Sequence, residues 1–334
     1  MNINRLYVER AVRDHPRTRE ITARFPDADV IECRRYGEVF NKAAQNFRLQ
    51  KQQPGLILAE KYPRRLLPAP AQYGLGGRNN YYFSHMLNCL YDCRYCFLQG
   101  MYRSANYVLF VNYEDFFADI IALAREEGSR RIHLFSGYDC DSLAFEPVTG
   151  FARYFVGRME EVPNVLLELR SKSTQIRALL DLPPQPNVVV AFSLSPDAVV
   201  DALEHQTPRL ERRLAALRRL QEAGWQVGIR FDPMICFDGA GQAYRRLVEQ
   251  VFQELDGSRI HSVCLGVFRM PEDFFNRIAR MYPRERFLAL PFERDAGMVS
   301  YPRPWVENLI ASCHEALLEH ISPTRVFVMG DGRE

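Results

Sequence analysis

NVVVAFSLSPDAVVDALEHQTPRLERRLAALRRLQEAGWQVGIRFDPMI, residues 187–235, carries the pattern that decides the fold. NVVVAFSLS at its start is rich in β-branched residues and reads as a strand. PRLERRLAALRRLQEAG at 208–224 places apolar residues at helical spacing and ends on Gly224, a helix stop. WQVGIRFDPMI at 225–235 returns to strand character. Strand, helix and strand in succession form the unit of a parallel sheet.

The same alternation extends outward in both directions. Upstream, NYYFSHML at 80–87 is strand-like, and YEDFFADIIALAREEG at 113–128 is an amphipathic helix stopped by Gly128. RRIHLFSG at 130–137 is a strand, Pro147 to Arg158 a helix, VLLELRSK at 165–172 a strand and STQIRALLDL at 173–182 a short helix. Downstream, AYRRLVEQVFQEL reads as a helix, RIHSVCLGVF as a strand and MPEDFFNRIARMY as a helix. The expectation is an α/β chain whose parallel sheet closes, wholly or partly, into a (β/α) TIM-like barrel over residues 79–334. In such barrels the chemistry sits at the C-terminal ends of the strands. Residues 1–78 are expected to form an N-terminal α/β extension packing on that core, with the Pro/Gly-rich YPRRLLPAPAQYGLGG at 62–77 as linker or wrapping loop.

The chain has 334 residues, 47% hydrophobic and 25% charged, ordinary proportions for a globular protein. No apolar run approaches the roughly 18 residues of a membrane-spanning helix. MNINRLYVERAVRDHPR carries charges where a signal peptide needs an apolar core, so a cytoplasmic protein with no membrane partner is expected. The net charge of +2 is unevenly spread. Residues 1–80 hold 15 Lys/Arg against 8 Asp/Glu, and the remainder 28 against 33. A basic front end fits a polyanion such as nucleic acid, or equally a solvated basic face.

Eight cysteines are present, and a reducing compartment argues against a disulfide framework. Cys33, Cys140, Cys236, Cys264 and Cys313 are dispersed singly, as small buried hydrophobes are. Cys89, Cys93 and Cys96 instead fall within eight residues, with CxxxCxxC spacing. Three thiolates so spaced wrap a loop around one [4Fe–4S] cube, each binding a different iron. Such clusters normally take four cysteines. With three, one iron is left open, and S-adenosyl-L-methionine (SAM) can fill it through its amino and carboxylate groups. Reductive cleavage of SAM then gives a 5′-deoxyadenosyl radical. A zinc site would need a fourth ligand, with His85 nearby. A non-enzymatic iron–sulfur sensor would not need SAM contacts.

Beyond the cysteines, the chain resembles the spore photoproduct lyase family of the radical SAM superfamily across most of its length. The resemblance rests on CRYCFLQGMYRSANYVLFVNYEDF, LRSKSTQIRALLD, the stretch from VAFSLS to FDPMI, and FRMPEDFFNRIARMYP. These enzymes reverse a thymine dimer in DNA inside a partial (β/α) barrel of the radical SAM type. The resemblance implies cluster ligation by Cys89, Cys93 and Cys96, with Tyr95 flanking the adenine. It implies SAM binding by Lys172 and Ser193 at two strand ends, with Gly137 and Asp141 where SAM passes. Asp141 also reads as a helix cap.

Two positions depart from the family. Its hydrogen-relaying tyrosine after the last cluster cysteine is Phe97 here, which has no O–H. Its hydrogen-donating cysteine is Tyr138, with Cys140 two positions on and, on extended backbone, on the same side. Tyr138 or Cys140 is then the candidate donor. The implied activity is a carbon–carbon lyase of DNA repair, partnered by damaged thymine in DNA or another nucleic acid. It would take electrons from a one-electron donor such as a flavodoxin or ferredoxin. The alternative is radical chemistry on an RNA base, a peptide or a metabolite. A nucleic-acid substrate would also call for a wedge that flips the lesion, for which DAGMVSYPRP offers Met298 or Tyr301. Arg212, Arg213, Arg218 and Arg219 would face DNA, or simply solvent.

Overall fold

The computed structural model describes residues 3–70 and 79–330. Its larger sheet has eight strands, in the spatial order Val326–Val328, Ile260–Val267, Gln226–Met234, Val188–Ser193, Val165–Ser171, Ile132–Ser136, Asn80–Phe83 and Leu66–Pro68. Seven of them run in strict chain order and pair in parallel. Helices such as Tyr113–Glu127, Leu210–Glu222 and Ala240–Glu254 return the chain between them. This is the expected partial barrel. The eighth strand, Leu66–Pro68, pairs antiparallel with Asn80–Phe83, so part of the 62–77 stretch is sheet rather than linker. The rest of that stretch, from 71 onward, lies outside the described residues.

The strands read as near-continuous apolar runs because both faces are covered. Leu167, Leu169, Val188, Val190, Val227 and Ile229 belong to the main core under the helices. The alternate positions point inward. There Leu166, Val189 and Ala191 form a small separate cluster, and Phe135 and Cys264 another. Between them lies a buried ion pair: Arg230 donates to Glu168 at 2.7 and 3.1 Å. The next inward positions toward the C-terminal ends are Arg170, Lys172, Ser193 and Asp232.

A second sheet of five strands joins the front end to the barrel. Its order is Asp29–Cys33, Arg5–Glu9, Leu56–Ala59, Tyr107–Phe110 and Met86–Leu87. The last two come from beyond residue 78, so the extension and the cysteine region share one sheet. NYYFSHML is accordingly not one strand. Asn80–Phe83 lies in the barrel, Met86–Leu87 pairs with Tyr107–Phe110, and the chain changes sheets at Ser84–His85. The Pro147–Arg158 helix is likewise two pieces, Glu146–Thr149 and Phe151–Val156, parted at Gly150, whose φ is +58°.

Candidate active site

A cavity of about 450 Å³ opens at the C-terminal ends of the barrel strands. The cysteine loop forms one wall with Cys89, Cys93, Tyr95 and Cys96. Strand ends form the opposite wall with Gly137, Tyr138, Lys172 and Ser193, and Cys140 and Asp141 lie on the same lining. The residues nominated from the sequence as cluster ligands, SAM contacts and hydrogen donors therefore meet in one cavity.

The loop is clamped from several sides. The Lys51 ammonium donates to the carbonyls of Cys89 and Tyr91 at 2.7 and 2.9 Å. Gln99 donates to the Cys93 carbonyl at 2.7 Å and is itself held by the Tyr282 hydroxyl. Asp92–Cys93 pairs antiparallel with Glu204–His205. At Gly100 a Cβ would lie 2.4 Å from the Phe274 carbonyl oxygen, so only glycine lets this segment close on the neighbouring helix. Burial pushes the Cys89 thiol up to about 12 and raises the Cys93 and Cys96 thiols as well. Metal binding would have to displace those protons.

The donor set fits an iron–sulfur cube. Three thiols face one cavity, the Tyr91 N–H donates to Cys89 Sγ at 3.5 Å, and the Leu98 N–H points at the Cys96 sulfur. Hydrogen bonds of this kind support cluster thiolates. Among the described residues no three His, Cys, Asp or Glu side chains converge on a single ion position. A cube does not require that, since each thiolate takes a different iron. His85 is no fourth ligand for zinc. Its ring stacks on Phe151 at 3.6 Å and its Nδ1 lies 3.8 Å from Cys140 Sγ. Burial pushes its pKa down to about 3, which keeps the ring neutral.

Lys172 leaves the end of its strand with its backbone N–H on Asp141 Oδ2 at 2.7 Å. Its ammonium lies 3.6 Å from Glu204 and 5.8 Å from the centre of the Tyr95 ring. Asp141 lines the cavity, but it caps a turn and not a helix, since the next helix starts at Glu146 with Phe145 as its N-cap. Its Oδ1 accepts from the Leu143 and Ala144 N–H groups and the Ser171 hydroxyl. Gly137, at φ +87°, turns the chain out of the strand, and a Cβ there would lie 2.6 Å from Ser142 Oγ. Because of that turn, residues 138–140 are not extended. Tyr138 packs on Phe97 and Tyr82 at 5.5 and 4.5 Å between centroids, while Cys140 is buried against His85.

Some expectations need correction. Tyr301 is wholly buried and packs on Phe268 and Phe292, so it cannot act as a wedge. Met298 is half-buried and lines the cavity. Arg213 does not face outward: it is fully buried and donates to Glu204 at 2.5 Å, while Arg212, Arg218 and Arg219 are exposed. Much of the front-end charge is paired internally, as in Arg10–Glu32, Arg17–Glu114 and Arg65–Asp119.

Glu204, Lys51 and the Asp139–Tyr102 pair, bonded at 2.9 Å, carry no sequence signal of their own. The only sequence cue for Glu204 is its place in the lyase-like VAFSLS-to-FDPMI stretch.

A family model described as spore photoproduct lyase matches residues 78–294. The spore photoproduct lyase of Geobacillus sp. (strain Y412MC61) is 22% identical over 214 residues, covering 64% of this chain and 62% of that protein. That of Bacillus subtilis (strain 168) is 21% identical over 201 residues, covering 59% of each. The chain thus spans about six-tenths of the length of these curated relatives. Two solved structures share the fold with TM-scores of 0.84, 18% identity and 98% of both chains covered. One is a spore photoproduct lyase complexed with dinucleoside spore photoproduct, the other a mutant with bound AdoMet and the same dinucleoside.

Proposed function

The chain belongs to the spore photoproduct lyase family, and from that premise we propose that it is a radical SAM lyase acting on a thymine lesion in DNA. The observation that carries this reading is the single cavity joining the three-cysteine loop to Lys172 and Ser193. A [4Fe–4S] cluster with SAM bound supplies one-electron cleavage of the sulfonium and a 5′-deoxyadenosyl radical.

The chain's own residues do the rest. Cys89, Cys93 and Cys96 hold three irons of the cluster. Lys172 pairs its ammonium with the SAM carboxylate, and the Ser193 hydroxyl hydrogen-bonds the amino group. Tyr95 flanks the adenine, and the turn at Gly137 leaves room for the ligand to pass. Phe97 and Tyr82 pack on the Tyr138 ring at the cavity wall, and its O–H would return a hydrogen atom to the substrate radical. Cys140, held against neutral His85, is the second donor within reach of the cavity.

Anaerobic reconstitution followed by assay of 5′-deoxyadenosine, with and without damaged DNA, tests the proposal. Slow release without substrate and stimulation by a spore-photoproduct dinucleotide are expected. Release that the dinucleotide leaves unchanged, with the dinucleotide itself intact, would defeat the lesion assignment. Phe97 and Tyr138 favour a second reading, the same chemistry on another substrate, and stimulation by RNA, peptide or metabolite would select it. A flavodoxin or ferredoxin is proposed as the electron donor.

A further inference from the structure

One side chain joins the two walls of the cavity. The backbone of Glu204 pairs with Cys93, and next to it the Arg94 N–H donates to the Leu203 carbonyl at 2.8 Å. The segment is thus stitched to the cysteine loop by main-chain bonds. The Glu204 carboxylate turns the other way. Its Oε1 accepts from the hydroxyls of Tyr95 and, at 2.9 Å, Ser195, and it lies 3.6 Å from the Lys172 ammonium. Its Oε2 accepts from Arg213 at 2.5 Å.

We propose that Glu204 is a positioning residue that fixes the cluster loop and Lys172 in one geometry, so that the ammonium stands ready for the SAM carboxylate. The inference rests on the function proposed above. Arg213 is what makes the arrangement more than a buried ion pair. It also donates to the carbonyls of Pro208 and Ser193 and to the Thr207 hydroxyl, so with Glu204 four of its five N–H hydrogens go to protein acceptors. It shares the Glu204 charge with Lys172 and holds the closer contact, 2.5 Å against 3.6 Å. Lys172 is therefore held without being cancelled, and it keeps attraction for a further anion. A lysine stem has four rotatable bonds, and fixing them beforehand removes that ordering cost from ligand binding. The Tyr95 hydroxyl completes the joint, because any displacement of the loop moves an acceptor that Lys172 shares.

The test uses reconstituted wild-type protein, Glu204→Gln, and the double variant Glu204→Gln/Arg213→Gln, which removes the fully buried Arg213 charge together with its partner. Iron per chain is measured. The dissociation constants of SAM and of decarboxylated SAM are read from the change each makes in the reduced cluster's electron paramagnetic resonance signal. Both variants should keep their iron and bind SAM about tenfold more weakly, the size of one charge-assisted hydrogen bond. Their preference for SAM over the decarboxylated form should shrink by a similar factor. Wild-type affinity and discrimination in either iron-loaded variant would overturn the proposal. So would loss of iron and of folded structure in both, since Glu204 would then be a support of the fold alone. A wild-type cluster that ignores SAM defeats the proposed function itself, and this inference with it.

Discussion

Two buried carboxylates in this molecule are built alike and used differently. Glu168, inside the barrel, meets Arg230 at 2.7 Å and Arg170 at 3.0 Å. Glu204, behind the cysteine loop, meets Arg213 at 2.5 Å and Lys172 at 3.6 Å. Burial works to raise both pKa values, but the paired cations outweigh it and hold each carboxyl near about 2. The second cation makes the difference. Arg170, also on the cavity lining, is answered again by Asp232 at 3.5 Å, whereas Lys172 has no second carboxylate among the described residues and leans over an aromatic ring. One network closes on itself and supports the barrel. The other stays open on the side where a ligand would arrive.

Removing a partner from the closed network gives the largest expected effect. Glu168→Gln leaves Arg230 buried without its counter-charge, and urea unfolding should show a loss of about 3–5 kcal/mol. The same network sets an acid limit. Because Glu168 and Glu204 are held below the ordinary value of 4.5, their contribution is present above that pH. It is lost as pH falls through about 2. Midpoints of thermal unfolding should drop across that window in the wild type, and less in Glu168→Gln.

Lys172→Met comes next and should split the two networks. Weakening of SAM binding by about 1.5–3 kcal/mol is expected, for the loss of one charged partner. Stability should stay within about 1 kcal/mol of wild type, because Arg213 still answers Glu204. Arg170→Met should do the reverse, unfolding more easily with SAM affinity less affected. Equal effects of the two variants on stability would erase the distinction. A smaller and purely chemical effect is expected from Tyr138→Phe, which keeps the ring and removes its O–H. SAM cleavage should persist while product formed per 5′-deoxyadenosine falls, with thermal stability near that of the wild type. If Cys140→Ala shows that uncoupling instead, the thiol is the donor.

The barrel is legible in the sequence because strands such as Val188–Ser193 announce themselves by β-branched composition, and helices such as Tyr113–Glu127 and Leu210–Glu222 by their spacing and the glycine that follows. The cysteine loop is legible because three thiols within eight residues have few other uses. The open network is not. Glu204 matters through contacts with Tyr95, 109 residues away, and with Lys172 on another strand. Sequence spacing carries no trace of such pairings. Arg213 misleads because a buried arginine in an Arg-rich helix has the same composition as a solvated one. Tyr301 misleads for the parallel reason, that a core aromatic and a wedge aromatic look alike in a Gly/Pro-flanked loop.

The front end tests how far a third kind of pairing, exposed to water, resembles either network. Arg34 and Glu38 are bonded at 2.9 Å, four residues apart, with Arg34 79% exposed. Solvent screens such a pair, and holding two long side chains in place costs entropy that nearly offsets the attraction. Arg34→Gln should therefore change unfolding free energy by less than about 0.5 kcal/mol. Its net charge is another matter, since pairing with Glu38 neutralises it only locally. Replacing Arg10, Arg13 and Arg34 together by Gln should leave stability nearly intact. It should also flatten the dependence of DNA affinity on salt, by at most about 0.9 in logarithmic slope for each phosphate no longer neutralised. An unchanged slope would show that Arg10, Arg13 and Arg34 neutralise no DNA phosphate, and that any charges guiding a nucleic-acid substrate lie elsewhere.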